Sequence, residues 1–323
     1  MDTAHALAIT LRDIKLLQMV YSYDTCSAEQ IRSRFFGTSA TPGRYGPRVS
    51  CYRRIARLRQ AGYLASFRLP SLSGVGSGTS LLGLGPKGRK LLAEHLELPR
   101  SELKRLKQVV TPILGTHHLV IGDVRLALEL ACEQRPGLSL EWVSERELRN
   151  QPVTRVKDPR PQPTGGSVPE IPLIPDGRFT ITLSDGAAQT FELEVDLGTI
   201  PARRMHAKLA GYLALTQDAP ILWVVPDTRR AEAIAGWALD LTRGLSAQGL
   251  GIDPSVFWIT TRAHITHQAV LGPIWRVVGG PEAHALLPDS REISGGLFPS
   301  SDGSRASVSR PGAAPAGRSG WRA

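Results

Sequence analysis

Between positions 176 and 208 the sequence sets carboxylates and a lysine at spacings that phosphodiester chemistry would use. In the segment FELEVDLGT, Glu192, Glu194 and Asp196 alternate with Phe191, Leu193 and Val195. Alternate residues of a strand share a face, so the three carboxylates fall on one side and the apolar residues on the other. Like charges at every second position repel unless solvent or a cation offsets them. Asp176 follows a proline in IPDGRF, at the head of the preceding strand. Two such carboxylates hold a hard divalent cation such as magnesium through oxygen. The metal then lowers the pKa of a bound water and offsets phosphate charge, while a lysine orients the water or stabilises the transition state. On this reading Asp176, Glu194 and Asp196 (or Glu192 as the third) are metal ligands, magnesium is the cofactor, and Lys208 completes the catalytic set. The competing reading is an acidic, solvated strand face with no catalysis.

Positioning these groups takes a hairpin and a helix. Strands are expected around 173–183 and 190–197, joined at Ser184–Asp185–Gly186, and Pro201 opens a helix that carries Arg204, Lys208 and Tyr212 at i, i+4, i+8 on one side. Further on, APILWVVPD reads as a buried strand, TRRAEAIAGWALDL as a helix, VFWITT as another strand, and PIWRVVG as a segment that closes the sheet. Upstream, TPILGTHHLVIGDVRLALELACEQ reads as a long helix and LSLEWVSERELR as a strand running into a polar turn. Strand–helix alternation with continuous apolar runs points to an α/β sheet covered on both faces. The stretch 150–170, rich in Pro, Gly and charge, reads as a flexible insertion. Neighbouring His117 and His118 point about 100° apart on a helix, which favours a helix-start contact or packing over a ligand pair. His264 and His267, in a loop, are likewise not read as a metal pair.

The chain has 323 residues and a net charge of +10, and the charge is unevenly placed. Residues 1–110 hold 18 Lys and Arg against 7 Asp and Glu, whereas 111–285 hold 16 against 19. Arg outnumbers Lys 32 to 7, a bias that explains the choice of cation but not its concentration in one segment. A polyanion such as double-stranded DNA is the expected partner of that segment. Its pattern is helix from Thr10 to about Val20, helix SAEQIRSRFF, helix VSCYRRIARLRQAGYL, then a strand, a Gly/Ser loop and a second strand: a winged helix-turn-helix. In the third helix Cys51, Ile55 and Leu58 face a core. Ser50, Arg53, Arg54 and Arg57 lie opposite, with Arg48 at the helix start and Arg68 on the wing, and these six are the expected DNA contacts. GVGSGTS and GLGPKGRK lack the full dinucleotide and phosphate-loop patterns and read as turns. The three cysteines are scattered, without CxxC spacing, so neither disulfides nor zinc are expected. The N-terminus is unlike a signal peptide and no apolar run is long enough to span a bilayer, which points to a cytoplasmic setting.

The acid and lysine pattern resembles the PD-(D/E)xK, restriction-endonuclease-like fold. It departs from it at Asp196, where that pattern has Lys, which leaves activity open and assigns the role to Lys208. In serial order, LRDIKLLQMVYSYDTCSAEQIRSRFF with YRRIARLRQAGYL, LGLGPKGRKLL, HHLVIGDVRLALE, and IPDGRF with FELEVDLGT and KLAGY make the chain similar to the replication-relaxation family of plasmids and mobile elements. The resemblance spans roughly 8–280 and implies a DNA-binding protein of plasmid or mobile-element replication and mobilisation, with a relaxase or replication initiator as partner. The expected organisation is an α/β chain. It comprises a winged-helix domain over 1–110, a charged helical bridge at 101–108, a restriction-endonuclease-like domain over 111–285, and a disordered tail over 286–323. Two alternatives stay open: a magnesium-dependent endonuclease or nickase, and a winged-helix transcriptional repressor acting as a homodimer.

Overall fold

The structure is a computed structural model that describes residues 7–37, 46–68, 80–97, 112–158, 170–215, 219–249, 252–280 and 283–287. The expected helical bridge, the tip of the wing and the tail from 288 lie outside the described residues. The described residues up to Leu286 group as one compact unit.

The N-terminal elements follow from local chemistry. Helix α1 (Leu11–Ser22) starts at a capping box, in which the Thr10 hydroxyl accepts from Asp13 N while the Asp13 carboxylate accepts from Thr10 N at 2.7 Å. A second box, Ser27 with Gln30, opens α2 (Ala28–Phe35). Helix α3 (Pro47–Gln60) begins with proline at its first position, where the missing N–H has no helical partner to lose. It ends at Gly62, whose φ of +83° suits glycine. Strands β1 (Cys26–Ser27), β2 (Leu64–Arg68) and β3 (Ser80–Leu84) form a sheet in the order β1-β3-β2, and α4 (Pro86–His95) closes the group. Leu16, Leu17, Ile31, Cys51, Ile55, Leu58, Leu82 and Leu92 fill the core between them.

Helix α5 (Pro112–Glu133) belongs to both halves of the molecule. Its Leu126 is buried in the N-terminal core, and Leu130 packs against the same cluster. It also packs on β4 (Ser139–Ser144) and β8 (Ala188–Val195) of the second sheet. The boundary expected at 110 therefore falls just ahead of a helix that both cores share.

The second sheet has six strands in the order β11 (Arg276–Val277), β10 (Phe257–Thr261), β9 (Ile221–Val225), β8, β7 (Gly177–Thr182) and β4. Strands β8, β9 and β10 run parallel, joined by helices α7 (Ala202–Leu213) and α8 (Thr228–Ser246). Strands β7, β4 and β11 are antiparallel to their neighbours. After β4 the polar segment expected as a turn forms a short helix, α6 (Glu145–Arg149), because Ser144 and Glu147 make a third capping box.

The register decides what each face meets. Glu192 pairs with Ile221 and Glu194 with Trp223, so the carboxylates share a face with Ile221, Trp223 and Val225. That face is packed under Met205, Leu209 and Tyr212 of α7 and Ile234, Ala235 and Ala238 of α8. The acidic face is thus turned into the core, and the solvated strand is not what the chain builds. The opposite face carries Trp142, Phe179, Phe191 and Trp258, with successive ring centroids 5.8, 5.1 and 6.0 Å apart.

Part of the stretch read as a flexible insertion is also corrected. Residues Thr154–Lys157 (β5) and Glu170–Leu173 (β6) pair antiparallel, and Val156, Ile171 and Leu173 close over Gly211 of α7. The apolar residues at alternate positions supply a buried side that Pro and Gly counting overlooks. No helix among the described residues is long and apolar enough to cross a membrane.

Candidate functional site

Asp176, Glu192, Glu194 and Asp196 are all buried, and each meets its own cation. Asp176 sits one register position beyond the Gly177–Leu193 pair, opposite Glu194. Its Oδ2 accepts the Val195 N–H at 2.7 Å and lies 3.1 Å from His117 Nε2, which also donates to the Val195 carbonyl at 3.0 Å. Glu194, 1% exposed, takes Lys208 Nζ on Oε2 and the Tyr212 hydroxyl on Oε1. Glu192 is held by Arg178 at 2.8 Å, and Asp196 by Arg230 Nε at 2.5 Å. Helix α7 brings Lys208 and Tyr212 to Glu194 because they stand four residues apart on one face, as the i, i+4, i+8 spacing implied. The roles of His117, Arg178 and Arg230 are additions. Arg178 was legible as the cross-strand partner of Glu192, whereas His117 and Arg230 arrive from helices far away in sequence.

Electrostatics follow from burial set against these partners. Burial pushes Glu194 up to about 7, only partly offset by Lys208. It also raises Glu192 despite Arg178. Burial alone would lower His117, but the Asp176 carboxylate outweighs it and lifts the imidazole to about 9. His117 is therefore a cation at neutral pH. Asp176, although buried, is held below the usual carboxylate range by His117 and Lys208. Lys208 is raised because Glu194 and Asp176 overcome its desolvation.

This arrangement bears on the expected magnesium ion. Asp176 and Glu194 are neighbours, with Lys208 beside them, but Asp196 turns away to α8 and Arg230. Both Glu194 oxygens and Asp176 Oδ2 already accept hydrogen bonds from the protein. Among the described residues no three His, Cys, Asp or Glu side chains are placed to hold a metal ion. As arranged, the residues do not fit a divalent cation, and the positive charge such an ion would bring is supplied by His117 and Lys208.

The second candidate region is the outer face of α3. Arg48, Val49, Tyr52, Arg53, Ala56, Arg57, Arg59 and Gln60 are exposed, while Cys51, Ile55 and Leu58 are buried as expected. Arg48 stacks 5.8 Å from the Tyr52 ring centre, and Ser50 is partly covered. Arg54 behaves differently from its neighbours. It stands three residues after Cys51 and four before Leu58, beside the buried stripe, and its guanidinium turns inward to Asp13 and the Ala8 carbonyl. Arg54 therefore fastens α3 to α1. On the hairpin, Arg68 is exposed at the end of β2, next to Phe67.

Against known proteins, one family description fits: Replication-relaxation, matching residues 17–223. The match runs from α1 into β9 and includes α3, His117, Asp176, Glu194 and Lys208. No curated protein matches the chain, and no solved structure matches it.

Proposed function

The chain belongs to the replication-relaxation family, and from that premise we propose that it is a DNA-binding protein of plasmid or mobile-element replication and mobilisation. The N-terminal half acts as a winged helix: α3 enters the major groove of a duplex and the β2–β3 hairpin lies against the flanking backbone. One observation carries this reading. The exposed face of α3 displays Arg48, Arg53, Arg57 and Arg59, in the segment that holds the chain's excess positive charge. Arg53 and Arg57 contact phosphates or base edges, Arg48, Ser50 and Arg68 flank them, and Arg54 holds the helix in place. The second half, read as a restriction-endonuclease-like domain, presents the protein to a relaxase or replication initiator in the bacterial cytoplasm.

A second reading, a DNA nickase, is favoured by one feature: Lys208 reaches Glu194 with Asp176 alongside. It stands second because the cluster's charges are already balanced from within. A single experiment separates the two. Wild-type protein, Arg53→Ala/Arg57→Ala and Asp176→Ala/Glu194→Ala are each incubated with supercoiled plasmid in magnesium, manganese or EDTA. Binding to linear duplex is measured across a salt series on the same preparations. The DNA-binding reading expects the arginine variant to bind more weakly, with the slope of log K against log salt reduced by about 0.9 for each phosphate that is no longer neutralised. An unchanged slope removes α3 from the interface. Metal-dependent nicking that disappears only in the acid variant would promote the second reading over the first.

A further inference from the structure

The DNA-facing helix exposes apolar surface where a pure phosphate clamp would not. Five large apolar side chains are strongly exposed among the described residues, and three of them, Val49, Tyr52 and Phe67, lie on α3 and β2. Val49 is 45% exposed and Tyr52 44%. Both occupy the N-terminal half of α3, the half of a recognition helix that reaches base edges. Arg53 adjoins them in the chain, and Arg57 and Arg59 occupy the C-terminal half. The Arg48 guanidinium lies over the Tyr52 ring, 5.8 Å from its centre, and so places positive charge beside the apolar pair. Exposed apolar groups ringed by arginines suit a partner that is anionic at its rim and offers methyl groups within. An acidic protein surface fits the arginines, but a major groove fits both, since each thymine projects a C5-methyl between the phosphate rails.

Building on the DNA-binding reading, we propose that Val49 and Tyr52 are specificity-determining residues that read thymine methyl groups, so that the preferred site is marked by thymines in the major groove. The arginines supply affinity and register, and the apolar pair selects the base.

The test uses full-length protein and a duplex enriched by it from a randomised pool. That duplex is resynthesised with thymine replaced by uracil, singly and at all positions. Uracil keeps every hydrogen-bonding group of thymine and removes only the methyl. Wild-type affinity should fall about four-fold for each contacted thymine, as expected for burial of one methyl-sized group. Val49→Ala and Tyr52→Ala, both on exposed positions where folding is little affected, should bind the thymine and uracil duplexes alike at the contacted positions. Equal affinity of the wild type for both duplexes, or discrimination that survives in both variants, would overturn the proposal while leaving DNA binding intact. Failure of the wild type to enrich any duplex would overturn the DNA-binding reading along with it.

Discussion

Asp13 illustrates how one residue can serve local and tertiary structure together. It completes the capping box of α1 and receives the Arg54 guanidinium from α3, and these hydrogen bonds outweigh its burial to hold its carboxyl below the ordinary range. His117 and Glu194 give a sharper consequence in pH. The His117 imidazole is raised to about 9, so its stabilising contribution is fully present below its unfolded value near 6.5 and is lost as pH rises through 9. Glu194 is raised to about 7, so the folded state holds its proton more tightly than the unfolded chain does, and stability falls as pH climbs from about 4.5 to 7. Both effects run in the same direction. Urea denaturation between pH 5 and 9 should show declining stability, with His117→Gln removing on the order of 2–3 kcal/mol of that decline above pH 6.5. Glu194→Gln should flatten the portion below 7. Parallel curves for wild type and His117→Gln above pH 6.5 would show that the imidazole does not carry the charge assigned to it.

At the scale of elements, close backbone approach sets the seat of α4. A Cβ at Gly88 would lie 2.1 Å from the Tyr63 carbonyl oxygen, in the turn that follows α3. That oxygen belongs to backbone and cannot swing aside. Gly88→Ala should therefore cost about 2–3 kcal/mol by forcing α4 off the turn. Gly236, inside α8, has open space where its Cβ would be. There the same substitution should gain roughly 0.5–1 kcal/mol from helix propensity alone. Thermal denaturation of the two variants beside the wild type checks both signs. The element scale also explains Gly122 of α5: a Cβ there would come within 2.9 Å of the Gln30 amide, which donates to the Leu119 carbonyl and to Asp123.

Across the whole molecule, α5 ties the N-terminal half to the sheet. Gln30 reaches Leu119 and Asp123, Tyr23 donates to Glu129 at 2.9 Å, Arg34 forms a two-pronged pair with Glu133, and Arg125 reaches the Ser22 carbonyl. Leu126 is buried in the N-terminal core. Halves joined in this way should unfold together. Every tryptophan lies at position 142 or later, so tryptophan fluorescence follows the second half, while hydrogen exchange in α1 to α3 follows the first. The two probes should report one transition, and Leu126→Ala should lower both by about 2–4 kcal/mol. Separate midpoints would show that the halves are independent.

The sequence by itself determined most of the elements: the helix that starts at Thr10, the apolar stripe of α3, the hairpin that carries the acids, and the long helix through His117. These depend on neighbours within a few positions, where periodicity and capping chemistry act directly. It also placed Lys208 and Tyr212 on one face of α7. Only the tertiary structure decided what those faces meet. Alternation put Glu192, Glu194 and Asp196 on one side of β8, but the parallel pairing with β9 and the cover of α7 and α8 turned that side inward. The same holds for Arg54, drawn to Asp13, and for His117 and Arg230, brought to their acids from distant helices. A residue's face is a local property of backbone geometry. Its partner depends on long-range packing, because burying a charge is tolerable only where another element supplies the opposite one.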